Sequence, residues 1–135
     1  MNNTLHNSKD FEGMRKAGNL AASTLDLLVE HVKPGVSTDE LDYFAFEFIT
    51  KNGGLIAPLF YKGFPKSICT SINHVICHGI PSSRILEEGD IVNIDVTVIV
   101  DGWHGDTSRM FPVGKINAKA QKLIDCTFES MHEGI

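Results

Sequence analysis

The chain has 135 residues, of which 42% are hydrophobic and 21% charged, and its formal net charge is −5. This length and composition are typical of one folded domain and exclude a disordered or collagen-like chain. Acidic residues outnumber basic ones and no basic stripe offsets them, so the sequence predicts no nucleic-acid partner. No apolar run approaches the ~18–20 residues of a membrane span, so no membrane partner is predicted either. Three cysteines without CxxC spacing indicate reduced thiols and a cytoplasmic location.

Two helices are predicted in the first part of the chain, after a leader over residues 1–9. Ser8 is the predicted N-cap of the first helix, and Lys33-Pro34-Gly35 is predicted to end it. Ser37 and Glu40 form a capping-box pattern at the start of the second helix, which Asn52-Gly53-Gly54 should end. Apolar residues recur every three or four positions and predict the buried stripes: Phe11, Met14, Ala17, Ala21, Leu25, Leu28 and Val32 in the first helix, and Leu41, Phe44, Phe48 and Ile49 in the second.

The remainder of the chain is predicted to be mainly β-structure. Residues 55–80 carry short β-rich pieces, at 67–72 and 74–77, between prolines and glycines. The clearest strand covers 91–100, where apolar and polar residues alternate. Asp101-Gly102 is a two-residue hairpin signal, and the return strand should cover 103–113. A last helix is predicted from about Asn117, with an inner face of Ala120, Leu123, Ile124, Thr127 and Met131.

The predicted hairpin places two carboxylates on one face. If Asp101-Gly102 is the turn, Thr97 faces Asp106 and Asp95 faces Ser108, so the two aspartates are diagonal neighbours. Two facing carboxylates repel each other and raise each other's pKa, a cost that a divalent cation removes. The hydroxyls of Thr97 and Ser108 would lie beside them and orient them. The pattern therefore predicts a metal site, and a solvated hairpin face that carries two aspartates is the alternative.

Other residues are candidate ligands or nucleophiles. His104 shares the face of the two aspartates, but a bulge near Gly105 would displace it. Glu129 and His132 lie on one face of the last helix, and an exposed helix end explains them equally well. Cys77 and His78 could form a cysteine hydrolase pair, but neighbouring residues of a strand point to opposite faces. A histidine in a loop, without a catalytic role, is the alternative for His78.

Four ordered segments resemble a known enzyme family. These segments are Pro65-Lys66-Ser67-Ile68-Cys69-Thr70-Ser71-Ile72-Asn73, Cys77-His78-Gly79-Ile80-Pro81, Gly89-Asp90-Ile91-Val92-Asn93-Ile94-Asp95-Val96-Thr97 and Asp101-Gly102-Trp103-His104-Gly105-Asp106-Thr107-Ser108. Their residues, order and spacing closely resemble type I methionine aminopeptidase. The similarity runs from about residue 10 to 135 and covers the first half of that family's catalytic domain, so 10–135 is predicted to be that half-domain.

The resemblance implies an α+β fold, the N-terminal half of a pita-bread fold, with an antiparallel hairpin sheet packed by helices. It implies a site for two divalent metal ions (Co, Mn, Fe or Zn), to which Asp95 and Asp106 contribute. It also implies that His78 is catalytic and contacts the substrate. Positions Tyr61, Phe64 and Cys69 match the pocket for the methionine side chain, and Pro58 lies where some relatives have Cys. Asn73 and Val75 resemble contributors to an accessory monovalent-cation site.

The implied function is removal of the initiator methionine from nascent proteins by metal-assisted peptide hydrolysis. Peptide or nascent-protein N-termini would be the partners, with association with the ribosome. The remaining ligands of this family, one His and two Glu, match no position in the sequence. The sequence therefore predicts a truncated chain without appreciable peptidase activity alone. An inactive truncated paralogue that acts as a binding module is one alternative, and an unrelated metal-binding hairpin protein is another.

Overall fold

The structure is a computed structural model that describes residues 5–135. It contains three helices, α1 (Ser8–Leu28), α2 (Thr38–Lys51) and α3 (Ala118–Gly134), and four strands, β1 (Leu55–Ile56), β2 (Cys69–Ile72), β3 (Ile91–Val100) and β4 (Trp103–Pro112). A short 3₁₀ turn covers Tyr61–Gly63. Of the predicted leader, residues 1–4 lie outside the described range. No helix among the described residues is long and apolar enough to cross a membrane.

The sheet is antiparallel and is organised around β3. Strand β4 pairs with β3 along its whole length, while β2 and β1 pair with opposite ends of the other edge of β3. The predicted hairpin is confirmed, since Val100 faces Trp103 and Thr97 faces Asp106. The pairing continues through Gly105, which faces Val98, without a bulge. The hairpin register therefore places alternate residues of both strands on a single polar face.

The opposite face of β3 forms the core. Its side chains at even positions, Val92, Ile94, Val96, Val98 and Val100, are all buried, as the alternation predicts. Helix α1 packs across β3 and β4, and α2 packs against α1. Burial of apolar surface is the main force that stabilises this arrangement. The polar face of the hairpin is thus left on the side of the sheet away from α1.

Helix α1 differs from its prediction at both ends. Its N-cap is Asn7 rather than Ser8, and a capping box with Asp10 closes the first turn. Phe11 and Met14 are 51% and 48% exposed, because this part of α1 meets Trp103 of the sheet through Gly13, whereas the later members of the stripe are buried. The helix ends at Leu28, well before Pro34. There the amide of Val29 donates to the carbonyl of Asp26, three residues earlier, in place of the α-helical partner four residues earlier.

Helix α2 confirms its predicted start. The Ser37 side chain accepts from the amide of Glu40, and the Glu40 carboxylate accepts from the amide of Ser37. Leu41 and Ile49 are fully buried, while Phe44 and Phe48 are half-buried. The capping box therefore fixes where α2 begins.

Two predictions are wrong. Residues 74–77 form no strand, because the chain turns at Asn73 (φ 52°) and then returns alongside β2 as a loop. Helix α3 starts after Asn117 as expected. However, its predicted inner face is not buried, since Leu123 and Met131 are 55% and 51% exposed. No other described element covers that face of α3.

Candidate active site

An open cleft of about 840 Å³ lies on the polar face of the hairpin. It contains the predicted residues of the metal site, the catalytic histidine and the methionine pocket: Tyr61, Phe64, Cys69, His78, Asp95 and Asp106. Pro58, Thr97 and His104 also line it. These residues come from the turn after β1, from β2, from the loop after β2 and from both strands of the hairpin. The fold thus brings together side chains that are up to 48 positions apart in sequence.

The floor of the cleft holds the carboxylate pair. Asp95 lies on β3, and Asp106 lies on β4 opposite Thr97, whose hydroxyl donates to Asp106 Oδ1 at 3.2 Å. Burial, together with the facing carboxylate of Asp106, raises the pKa of Asp95, and His78 partly opposes that shift. Two carboxylates that face each other in this way are hard oxygen donors suited to a divalent cation. The donor set therefore fits a metal ion.

Strand pairing adds Cys69 to the floor. Cys69 on β2 faces Asp95 on β3, so the thiol and the carboxylate are neighbours across the sheet. Burial, and then the negative charge of Asp95, raises the pKa of Cys69 to about 11. A thiol with so high a pKa is a poor nucleophile at neutral pH. Cys69 therefore forms a wall of the cleft. Cys77, the thiol of the predicted Cys77–His78 pair, is exposed and does not line the cleft.

His78 reaches the cleft through a tightly packed loop. Its backbone is left-handed (φ 55°), a conformation that non-glycine residues seldom adopt. The next residue, Gly79, accepts from the amide of Thr70 at 2.8 Å, and its own amide donates to Ser71 Oγ at 3.1 Å. A Cβ on Gly79 would lie 2.8 Å from the carbonyl carbon of Thr70 and closer still to its oxygen. The glycine thus permits the close approach that brings His78 beside Asp95.

The apolar side of the cleft is built by the 3₁₀ turn. Tyr61 is exposed and Phe64 is half-buried, and the turn is closed by the Phe60 amide, which donates to the Phe64 carbonyl at 2.8 Å. The Lys62 ammonium lies 5.4 Å from the centre of the Tyr61 ring. Aromatic rings beside a carboxylate floor make the cleft amphipathic. Such a cleft can hold an apolar side chain and a cationic amine together.

Other sequence candidates lie in different places. His104 stays on the cleft face, because no bulge displaces it. Glu129 and His132 are exposed on α3, away from the cleft. Asn73 donates to Asp90 and accepts from the Ile91 amide, so its side chain ties the loop to β3. With Val75 it lines a separate cavity of about 280 Å³, and its cation-binding role stays a prediction.

No group of three or more His, Cys, Asp or Glu side chains in residues 5–135 could hold a metal ion, so the two carboxylates of the floor are the candidate ligands. Sequence reasoning missed Ala57, Lys62, Gly63 and Ile80, which also line the cleft. It also missed Asp42 on α2, which supports the wall from behind. A signal existed for Asp42, because this acidic residue interrupts the buried stripe between Leu41 and Ala45.

The sequence was compared with known proteins. The profile of metallopeptidase family M24 matches residues 12–135. The methionine aminopeptidase of Rickettsia prowazekii is 59% identical over 131 residues, which cover 97% of this chain and 51% of the relative. Methionine aminopeptidase A of Synechocystis is 53% identical over 133 residues, covering 98% of this chain and 53% of the relative. The chain therefore spans about half the length of the curated relatives that it matches.

Solved structures give the same result. The crystal structure of the Rickettsia prowazekii methionine aminopeptidase matches with a TM-score of 0.96 at 58% identity, over 98% of this chain and 53% of that one. The Thermotoga maritima methionine aminopeptidase matches with a TM-score of 0.94 at 27% identity, over 98% of this chain and 53% of that one. A Pyrococcus horikoshii prolidase (TM-score 0.81, 19% identity, over 96% of this chain and 36% of that one) shares the fold alone. The structure is about half of a pita-bread fold, as predicted, and the chain belongs to metallopeptidase family M24.

Proposed function

We propose that this chain supplies half of a methionine aminopeptidase site, which removes the initiator methionine from nascent proteins. The observation that carries the proposal is the cleft itself, in which Asp95 and Asp106 share a floor beside an apolar wall. The similarity to methionine aminopeptidases over nearly the whole chain supports the same reaction. Peptide and nascent-protein N-termini are the proposed partners, at the ribosome and in the cytoplasm. The three free cysteines agree with a reducing compartment.

Asp95 and Asp106 are the proposed ligands for two divalent ions, of Co, Mn, Fe or Zn. Bound ions would supply Lewis-acid activation of water and of the peptide carbonyl. The chain's own part is to hold both carboxylates on one face of the hairpin, with the Thr97 hydroxyl donating to Asp106 at 3.2 Å. The other ligands are proposed to come from polypeptide beyond these 135 residues. Metal binding by this chain alone should therefore be weak.

His78 and the apolar wall are the proposed substrate contacts. Tyr61, Phe64 and Cys69 surround the space for the methionine side chain, and the His78 imidazole hydrogen-bonds the reacting peptide at the mouth of the cleft. A hydrogen-bond donor held where charge develops stabilises a transition state more than the ground state. His78 is well suited to this role, because Gly79 and β2 fix its backbone.

A binding module without catalytic activity is the second candidate. It is favoured by one observation, that the described residues assemble two carboxylates and no third metal-ligating side chain. In that case the cleft would still bind a methionine-terminated peptide, and hydrolysis would not follow. Both candidates predict no appreciable turnover by the 135-residue chain alone. The two candidates differ in the turnover that they predict once the missing ligands are supplied: an aminopeptidase would hydrolyse the peptide, and a binding module would not.

The test is a manganese titration of the purified chain followed by NMR, in which Mn²⁺ broadens signals near its site. Broadening should centre on Asp95 and Asp106 and disappear in Asp106→Asn. Asp101→Asn is the matched control, because Asp101 lies in the exposed turn of the same hairpin and Asn suits its positive φ. Loss of broadening in both variants, or in neither, would contradict the metal site.

The substrate is tested with the tripeptide Met-Ala-Ser and its N-acetylated form. The free-amine peptide should shift the signals of Tyr61, Phe64 and His78 more than the blocked peptide does. Hydrolysis should be absent with the chain alone. Turnover of Met-Ala-Ser by these 135 residues, lost in Asp106→Ala, would refute the need for further ligands. Equal binding of the two peptides would refute recognition of the amine.

A further inference from the structure

The N-terminal half of α2 reaches the back of the cleft wall through a buried carboxylate. Asp42 is 9% exposed, on the inner side of α2. Its Oδ1 accepts from the amide of Ser67 at 2.7 Å and from the amide of Ile68 at 3.1 Å. One turn earlier, Asp39 forms an ion pair with Lys66 at 2.7 Å. Three consecutive residues, 66–68, are therefore held by the same helix.

This anchored segment joins the two sides of the apolar pocket. Phe64 precedes it and Cys69 follows it, and both line the cleft. Ser67 and Ile68 are 3% and 0% exposed, and they belong to no strand. Without the Asp42 carboxylate, their amides would be buried donors that lack these acceptors. The position of the anchor thus sets the separation between Phe64 and Cys69.

We propose that Asp42 is a positioning residue that fixes the width of the methionine pocket, an inference that rests on the proposed function. The carboxylate touches neither metal nor substrate, and it acts through the backbone of Ser67 and Ile68. Burial raises the pKa of Asp42, while the two amide donors and Lys66 oppose that shift. A buried carboxylate whose charge is only partly compensated is costly for folding. The two amides that Asp42 orients explain why a carboxylate is kept at this place behind the pocket.

Three variants of the full 135-residue chain separate this role from general stability. Asp42→Ala removes the acceptor, and Asp42→Asn keeps an oxygen at the same place. Leu28→Ala is a structural control, because Leu28 is fully buried in α1 and does not line the cleft. Amide exchange measured by NMR reports Ser67 and Ile68 directly. Their rates are taken relative to Val96 in β3, which cancels changes caused by global unfolding.

In Asp42→Ala the relative exchange of Ser67 and Ile68 should rise about tenfold or more, since two buried donors lose their acceptor. Alkylation of Cys69 by iodoacetamide, measured by mass spectrometry against the exposed Cys126, should rise by a similar factor. Asp42→Asn should change both by less than about twofold, because its side-chain oxygen retains both bonds. Leu28→Ala should leave both ratios unchanged.

The proposal is overturned if Asp42→Ala behaves like Leu28→Ala, or if Asp42→Asn loosens the segment as much as Asp42→Ala does. Binding of Mn²⁺ at the hairpin should remain within about twofold of the parent chain in Asp42→Ala, because the metal floor does not depend on the anchor. Absence of Mn²⁺ binding in the parent chain would count against the proposed function alone. The exchange and alkylation results would still decide the role of Asp42.

Discussion

Gly105 lies at a close approach of α1 to the hairpin, and replacing it with alanine should destabilise the chain. A Cβ at this position would lie 2.6 Å from the Gly18 amide nitrogen and closer still to the Ala17 carbonyl group. These are backbone atoms of a helix, so a change of side-chain rotamer cannot relieve the clash. The φ of Gly105 is not positive. The expected effect is therefore purely steric.

The magnitude follows from what α1 must do to make room. It would have to shift outward by roughly 1 Å to restore an ordinary contact, which loosens the packing of Ala17, Ala21 and Leu25 on the sheet. Overpacking of a core typically costs about 1–3 kcal/mol. We expect the upper end, about 3 kcal/mol, because the obstacle is rigid. For a chain of this size, that lowers Tm by about 10 °C.

Urea unfolding followed by circular dichroism measures the change, and Gly18→Ala is the matched control. Gly18 lies in α1 beside the same contact, but a Cβ there would meet no atom within 4 Å. Alanine should therefore stabilise α1 by about 0.5–1 kcal/mol. If Gly105→Ala unfolds within about 0.5 kcal/mol of the parent chain, the packing of α1 on β4 is not as described.

Three further outcomes are expected. In Gly79→Ala, the added Cβ would meet the Thr70 carbonyl and should displace the loop that carries His78. Binding of Met-Ala-Ser should weaken several-fold, and the NMR shifts that the substitution causes should centre on His78. Unchanged binding would contradict the placement of that loop. Burial and the facing Asp106 raise the pKa of Asp95 above 3.8, so the metal-free folded chain holds this proton more tightly than the unfolded chain does. Its free energy of unfolding should therefore fall as pH rises from about 3.8 through that raised pKa, and Asp95→Asn should remove this part of the fall in urea titrations across that range. Mn²⁺ at ten times its Kd should stabilise the parent chain by about 1.4 kcal/mol and leave Asp106→Asn unchanged, as thermal unfolding with and without the metal would reveal.

Local sequence patterns determined the hairpin and therefore the carboxylate floor of the cleft. The Asp101-Gly102 turn sets the register, and a period of two then decides which side chains share a face. Nothing beyond β3 and β4 is needed to bring Asp95 and Asp106 together. The capping box of α2 and the start of α3 after Asn117 were also predictable from the sequence, because both depend on a few neighbouring residues.

Burial of the helices was predicted less well, since it depends on what lies opposite each face. The apolar stripe of α1 is continuous in sequence, yet Phe11 and Met14 remain exposed, because the helix meets Trp103 through Gly13 instead. The stripe of α3 is not covered by any other described element. Periodicity shows that a helix has an apolar face, but it cannot say whether a partner surface is present in the same chain.

The sequence by itself determined the polar face of the hairpin and, through its motifs, the family. Only the tertiary structure decided that Cys69 faces Asp95, that Gly79 brings His78 to the same cleft, and that Asp42 supports the wall from α2. The physical reason is the range of the interactions. A turn and an alternating pattern act over a few residues. Pairing of β2 with β3 and anchoring of residues 66–68 join residues twenty or more positions apart, whose alignment is fixed only when the core packs.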